Sequence, residues 1–236
     1  MKLNLKNMVL ISALGCSNLI YADHATQNNI DTKLTHTESG KEKLAIAKQN
    51  ISESKRALMS RLSGFEHFSA SFSQQVIDEE NNVLQEGKGK IAVKKPNLVS
   101  WETQYPEESL IVSDGDTLWF FDPFIEQATA YRVDASVANT PILLLTSSDE
   151  GLWAQYSVSQ SNTEHFLIHA NDPNSRVKTL ELNFIADSAT LESFSILDTT
   201  GQLSVIKLSD VTMDEQLPLG LFNFTLPEGV YLDDQR

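Results

Sequence analysis

His165 and His169 stand four residues apart in a strand-like run, a spacing that puts both on one face, where they could share a metal ion. No third ligand stands near them in the sequence, so two polar residues on the solvent side of a strand is the plainer reading. Asp114-Gly115-Asp116 has the start of a calcium loop but lacks its remaining ligands and the closing glutamate; a two-residue hairpin turn accounts for it better. Asp78-Glu79-Glu80 reads as a solvated strand end, and no carboxylate pair stands out for acid–base work. The sequence contains no G-x-S-x-G elbow, H-E-x-x-H, P-loop or G-x-G-x-x-G. Its one cysteine, Cys16, excludes a disulfide framework and a cysteine-rich zinc site. With 18 Lys+Arg against 32 Asp+Glu, the net charge of −14 leaves no basic stripe for nucleic acid. The expectation is a protein without catalysis, metal or cofactor. What remains conspicuous is apolar: Trp101, Trp119, Phe120, Phe121, Phe124, Trp153, Phe166 and Phe184 lie in or beside strand-like runs. They fill an ordinary core or line a cavity for an apolar ligand.

The elements that must position these side chains begin after a targeting segment. Lys2 and Lys6 form a positive start, Met8 to Ile20 is apolar but too short to span a bilayer, and Ala22 is a small residue at a cleavage site. Residues 1–22 therefore read as a signal peptide, and their removal takes the net charge to −16. Ala13-Leu14-Gly15-Cys16 loosely resembles a lipobox, which would instead make Cys16 a lipidated first residue. Residues 23–40 are polar and read as a disordered leader. From about 41 to 63, Leu44, Ile51, Leu58 and Phe65 recur every seven residues with Ala47 and Leu62 beside them, one stripe of an amphipathic helix stopped at Gly64. The period then changes to two: Phe68, Ala70 and Phe72 alternate with serines. Further strand-like runs follow at roughly 84–94, 97–103, 108–113, 116–122, 152–159, 163–170, 177–187, 190–199, 203–212 and 220–225. The short turns between them demand antiparallel hairpins. A barrel of about eleven strands is wider than one that side chains alone can fill, so its interior must take a ligand, a helix or a plug. Residues 123–151 break the rhythm with two short helical candidates, near Pro123–Arg132 and Thr140–Ser148, Thr140 standing as a helix cap. These are expected to close the barrel mouth as a lid. Residues 41–236 thus form one mainly β domain.

Several stretches, in this order and spacing, resemble the LolA family of periplasmic outer-membrane lipoprotein carriers. They are Phe68-Ser-Ala-Ser-Phe-Ser-Gln-Gln, Gln85-Glu-Gly-Lys-Gly, Lys94-Lys-Pro-Asn-Leu-Val-Ser-Trp101 and Glu108-Ser-Leu-Ile-Val-Ser-Asp-Gly115. After them come Thr117-Leu-Trp-Phe-Phe-Asp-Pro-Phe124, Glu126-Gln-Ala-Thr, Asn139-Thr-Pro, Pro227-Glu-Gly-Val and Asp233-Asp-Gln-Arg236. The resemblance runs from about Leu58 to Arg236. It implies an unclosed antiparallel barrel of about eleven strands under a helical lid, made of the N-terminal helix and the two inserted helices. It further implies acylated lipoproteins as cargo, taken from the inner-membrane LolCDE transporter and passed by a monomer to the outer-membrane receptor LolB. A lipid-binding sensor or a receptor of the same fold, or a lipid hydrolase using a serine near His165 or His169, are the alternatives.

Carried onto this sequence, the resemblance makes Lys95 the lid latch; the family has Arg there, bonding lid-helix carbonyls. It assigns the acyl-chain cavity and lid to Val99, Trp101, Trp119, Phe121, Phe124, Ile142, Leu143, Leu144 and Phe184. Period-two alternation puts Lys95, Asn97, Val99 and Trp101 on one face. If Leu143 belongs to a lid, Leu143→Glu should weaken cargo uptake while the domain still folds.

Overall fold

From His67 onward the backbone follows the period-two pattern. The computed structural model describes residues 53–136, 140–213 and 216–236. The expectations for the signal peptide, the leader, the helix before residue 53 and Asn139 lie outside the described residues. A helix, α1 (residues 53–63), leads into β1 (His67–Ile77), β2 (Val83–Lys94), β3 (Leu98–Tyr105), β4 (Ser109–Asp114), β5 (Thr117–Asp122) and β6 (Gln127–Arg132). Three short helical pieces follow: α2 (Val133–Ser136), a 3-10 turn (Pro141–Thr146) and α3 (Glu150–Trp153). The chain then runs through β7 (Tyr156–Gln160), β8 (His165–Ala170), β9 (Val177–Phe184), β10 (Leu191–Asp198) and β11 (Leu203–Thr212). It ends through a second 3-10 turn (Leu219–Phe222) and β12 (Tyr231–Asp234).

The twelve strands form one sheet in the order β12-β6-β5-β4-β3-β2-β1-β11-β10-β9-β8-β7. Every neighbouring pair is antiparallel except β12 with β6, which is parallel, Tyr231 opposite Gln127. β7 and β12 are its two edges, so the sheet is unclosed. It is nevertheless strongly curved. Trp101 on β3 and Phe194 on β10 are four strand positions apart, roughly 19 Å in a flat sheet at about 4.8 Å per strand. Their ring centroids are 6.0 Å apart, so the sheet wraps until the two meet. One continuous apolar cluster on its concave face takes side chains from α1, from ten of the strands and from Ile142–Leu145.

Three expectations are corrected here. The helix foreseen near Pro123–Arg132 is a turn followed by β6. Asp122 Oδ1 accepts from the N–H groups of Phe124 at 2.9 Å and Ile125 at 3.3 Å, and Glu126 turns back with φ +52°. Ala128 and Ala130 then bury one side of a strand. The helical insertion accordingly spans Val133–Trp153, in three pieces instead of two. The strand foreseen at 220–225 is the 3-10 turn, and the last strand is instead β12. Gly64 does stop α1, with its N–H donating to the Arg61 carbonyl at 3.0 Å and without a positive φ. Glycine is needed there because a Cβ would lie 2.6 Å from the Cβ of Ala189.

The sheet's tightest spot is Gly89. The β2–β3 register slips between Lys88 and Gly89, leaving an extra residue on β3. A Cβ at position 89 would strike the Glu102 carbonyl and lie 2.9 Å from the Phe72 ring. Gly89→Ala should therefore cost about 1–3 kcal/mol in urea unfolding. Gly220→Ala, with nothing within 4 Å, should leave the midpoint nearly unchanged, and equal midpoints for the two variants would contradict the register assignment.

Candidate functional site

The site is the concave face and what fills it. Along β3 the inward residues are Val99 and Trp101, both buried. Trp101 lies against Phe72 at 4.5 Å and edge-on to Phe194. On the other wall Phe184 of β9 is buried edge-on to Phe166 at 5.9 Å. Between the walls sits the 3-10 turn Pro141–Thr146. Ile142, Leu143, Leu144 and Leu145 are each no more than 2% exposed. Four consecutive residues of a helical turn point in every direction, so burial of all four means the turn is surrounded. It is a plug within the concave face. Thr140 flanks it with no side-chain cap bond, and Thr146 Oγ1 donates to the Leu143 carbonyl at 2.7 Å. Asp149 caps α3 by accepting from Leu152 N–H at 2.8 Å, and Trp153 Nε1 reaches back to the Ser147 carbonyl at 2.9 Å.

α1 lies over the same space, with Leu58 and Leu62 in the core cluster. Lys95, in the turn between β2 and β3, holds its end. The ammonium donates to the Leu62 carbonyl and stands 4.2 Å over the centre of the Phe65 ring; Phe65 packs edge-on to Phe68 at 5.4 Å. Burial lowers the Lys95 pKa below the ordinary lysine value, so this contact is held against a desolvation cost. The backbone adds a second tie, from Lys95 N–H to the Glu66 carbonyl at 2.9 Å. Lys55 joins α1 to α3, Nζ donating to the Trp153 carbonyl at 2.7 Å. Arg61 reaches the Thr163 and Ser188 carbonyls. Lys55 and Arg61 carry no sequence signal of this placement, because their partners are backbone carbonyls 98 to 127 residues away.

Three expected cavity or lid residues are elsewhere. Trp119 and Phe121 face the opposite side of β5 from Leu118 and Phe120. They meet Phe224 at 5.1 and 5.5 Å, and Arg236 stacks over Trp119 at 5.3 Å. Phe222 is buried on this convex side, where its 3-10 turn packs on β3 and β4. Two apolar faces on one strand defeat an argument from hydrophobicity alone; the alternation Leu118/Phe120 against Trp119/Phe121 was the available signal. Phe124, in the β5–β6 turn, is 75% exposed and belongs to no lid helix.

The polar candidates bring one serine, one histidine and one carboxylate together. His165 Nε2 contacts Glu181 Oε1 at 2.7 Å, and its Nδ1 contacts Ser161 Oγ at 2.5 Å. The nearby N–H groups of Glu164 and His165 are already bound to Asn162 Oδ1, at 3.0 and 2.8 Å, so this pair is not free to stabilise an oxyanion. No group of three metal-ligating side chains occurs among the described residues. Asp114 Oδ1 accepts from Asp116 and Thr117 N–H groups in a hairpin turn, with Gly115 at φ +103°.

Residues 63–225 match the family model described as outer membrane lipoprotein carrier protein LolA. A protein named outer-membrane lipoprotein carrier protein from Glaesserella parasuis serovar 5 (strain SH0165) is 41% identical over 179 residues, 76% of this chain and 84% of that one. One so named from Photorhabdus laumondii subsp. laumondii is 38% identical over 192 residues, 81% and 90% of the two chains. Another, from Yersinia pestis bv. Antiqua, is 37% identical over 191 residues, 81% and 93%.

Complete burial of Leu143 revises the expectation for Leu143→Glu. A carboxylate there would be unpaired in an apolar interior, and the domain should lose stability as well as uptake. Leu143→Ala is the better probe: denaturant unfolding should show a loss of about 2–5 kcal/mol. Phe124→Ala should stay within about 0.5 kcal/mol of the parent protein. A Leu143→Ala variant as stable as the parent would remove the turn from the interior.

Proposed function

The chain belongs to the LolA family of outer-membrane lipoprotein carriers, and from that membership we propose that the plugged, latched concave face is the closed form of its acyl-chain site. The protein is a periplasmic, non-enzymatic carrier of lipoproteins. Acyl chains would enter where Ile142–Leu145 now sit, between the walls carrying Val99, Trp101 and Phe184. Ahead of the carrier domain, residues 1–22 act as a signal peptide and 23–40 as a polar leader. The carrier works as a monomer that receives cargo from the LolCDE transporter and gives it to LolB.

The energetics require a closed form. Each CH₂ taken out of water is worth ~0.8 kcal/mol. Three long acyl chains buried at no cost would therefore exceed the practical affinity limit of roughly 20 kcal/mol, and such cargo could not be released. Displacing the plug supplies the opposing cost. Uncovering one Leu or Ile side chain costs about 1.5–3 kcal/mol, and four move together. Lys95 adds to it, since a charge-assisted hydrogen bond is worth ~1.5–3 kcal/mol net. The observation that carries this reading is the pairing of a fully buried plug with a partly buried ammonium holding α1 across it. Both favour the empty state, and a ligand can shift the equilibrium only by its preference for the open one.

Two substitutions at one position test it. Lys95→Leu should let lipoprotein in but retain it, so transfer from loaded protein to the receptor should slow by roughly tenfold or more. Lys95→Arg, with five donors in a fixed fork, should hold the lid more firmly and slow uptake. Transfer from Lys95→Leu at the parent rate would leave Lys95 a structural tie between the β2–β3 turn and α1 with no part in release.

A further inference from the structure

We propose that Arg61 is a second latch on the lid helix, opposing Lys95, and that the tips of the β7–β8 and β9–β10 hairpins are its seat; this rests on the reading of α1 as the part that moves. Lys95 and Arg61 grip one helical turn from different sides. Lys95 comes from the β2–β3 turn and takes the carbonyl of Leu62. The side chain of the preceding residue, Arg61, leaves the helix about 100° away. It donates to the Ser188 carbonyl, and from Nη2 to the Thr163 carbonyl at 3.0 Å. Those hairpins belong to the β7–β10 side of the sheet, across the concave face from β2 and β3. α1 is thus strapped to both sides of an unclosed sheet.

The seat is shaped before Arg61 arrives. Asn162 Oδ1 binds the two N–H groups that follow Thr163, at 3.0 and 2.8 Å, and Ser161 N–H donates to the His165 carbonyl at 3.2 Å. His165, between Ser161 and Glu181, ties the same tip down to β9. On the other hairpin Ser188 Oγ donates to Thr190 Oγ1 at 2.8 Å and accepts from Thr190 N–H at 3.0 Å, fixing the turn that presents its carbonyl. Phe184 floors the seat, its ring centre 5.8 Å from the guanidinium carbon. A planar fork can serve two carbonyls and lie over a ring at once, whereas an ammonium on a flexible stem cannot hold all three. Close approach of Gly64 to Ala189 brings the end of α1 onto the same hairpin. The Ser161–His165–Glu181 chain therefore acquires a role as a brace for the latch seat. Release of one latch leaves α1 pivoting on the other, so a partner that displaces Lys95 opens one side of the mouth while Arg61 keeps the helix attached.

The test uses the full-length protein and the rate at which it captures a fluorescent anilinonaphthalene sulfonate dye, with thermal melting recorded alongside. Arg61→Leu should capture dye about tenfold faster than the parent, as should Lys95→Leu. Arg61→Lys should restore part of the difference. Asn162→Ala, which loosens the seat without touching α1, should move capture in the same direction by a smaller factor. Faster capture by Lys95→Leu with parent-like capture by Arg61→Leu, whatever its melting temperature, would make Arg61 a structural tie and overturn the inference. Parent-like capture by both would overturn the lid reading beneath it. Should Arg61→Leu fail to fold, Arg61→Lys and Asn162→Ala decide, and parent-like capture by both overturns the second latch.

Discussion

An open sheet of twelve strands presents an apolar concave face that backbone pairing cannot cover, and everything else in the molecule follows from how that face is covered. A smaller barrel would fill itself with its own strand side chains. Here the rings of Phe72, Trp101 and Phe194 meet across the curve, yet space remains for α1 and for a turn of four consecutive apolar residues. The covering pieces are not strands, so they can leave without breaking the ladder. They are held by apolar burial within and, at the rim, by polar contacts from Lys55, Arg61 and Lys95 to main-chain carbonyls. The cover thus combines polar contacts at the mouth with apolar contacts within.

The division between rim and interior also explains the distribution of charge. Lys95 is drawn into a partly buried position where its ammonium is less favourable than in water. An ammonium held against desolvation returns readily to water when its carbonyl moves away. The salt bridge of Arg132 with Asp134, by contrast, lies on the surface, both side chains 65% exposed, where ion pairs contribute little to stability.

The concave face was legible in the sequence because alternation survives wherever only one strand side is apolar, as in Phe68, Ala70 and Phe72 against their serines. It failed for β5, where the convex side is also covered and Trp119 looks as cavity-like as Leu118. β6 was hidden because Gln-Ala-Thr-Ala-Tyr-Arg carries its buried side on two alanines and follows a proline, which together imitate a helix start. β12 was hidden because Tyr231–Asp234 is short and acidic, and its place is set by its partner β6 rather than by its own hydrophobicity. Ile142–Leu145 was conspicuous as an apolar run, but its depth was not; the same four residues would suit a surface lid or an interior plug. Only the family resemblance points to Lys95, and nothing in the sequence points to Arg61, because a carbonyl partner leaves no trace in residue type.

The C-terminal segment bears on the order in which the molecule can be completed. Phe222 and Phe224 cover the convex side of β3–β5, and β12 joins the sheet beside β6, a strand about a hundred residues earlier in the chain. Without the segment from Phe222 to Asp234 in place, Val112, Trp119 and Phe121 would face water and β6 would be an unpaired edge. Contacts of such long sequence separation form late and slowly, and a bare edge beside an apolar patch is prone to association with another chain. A chain that has built its concave interior but not docked this segment is therefore adhesive on its back. Docking of residues 219–234 covers that patch and pairs that edge.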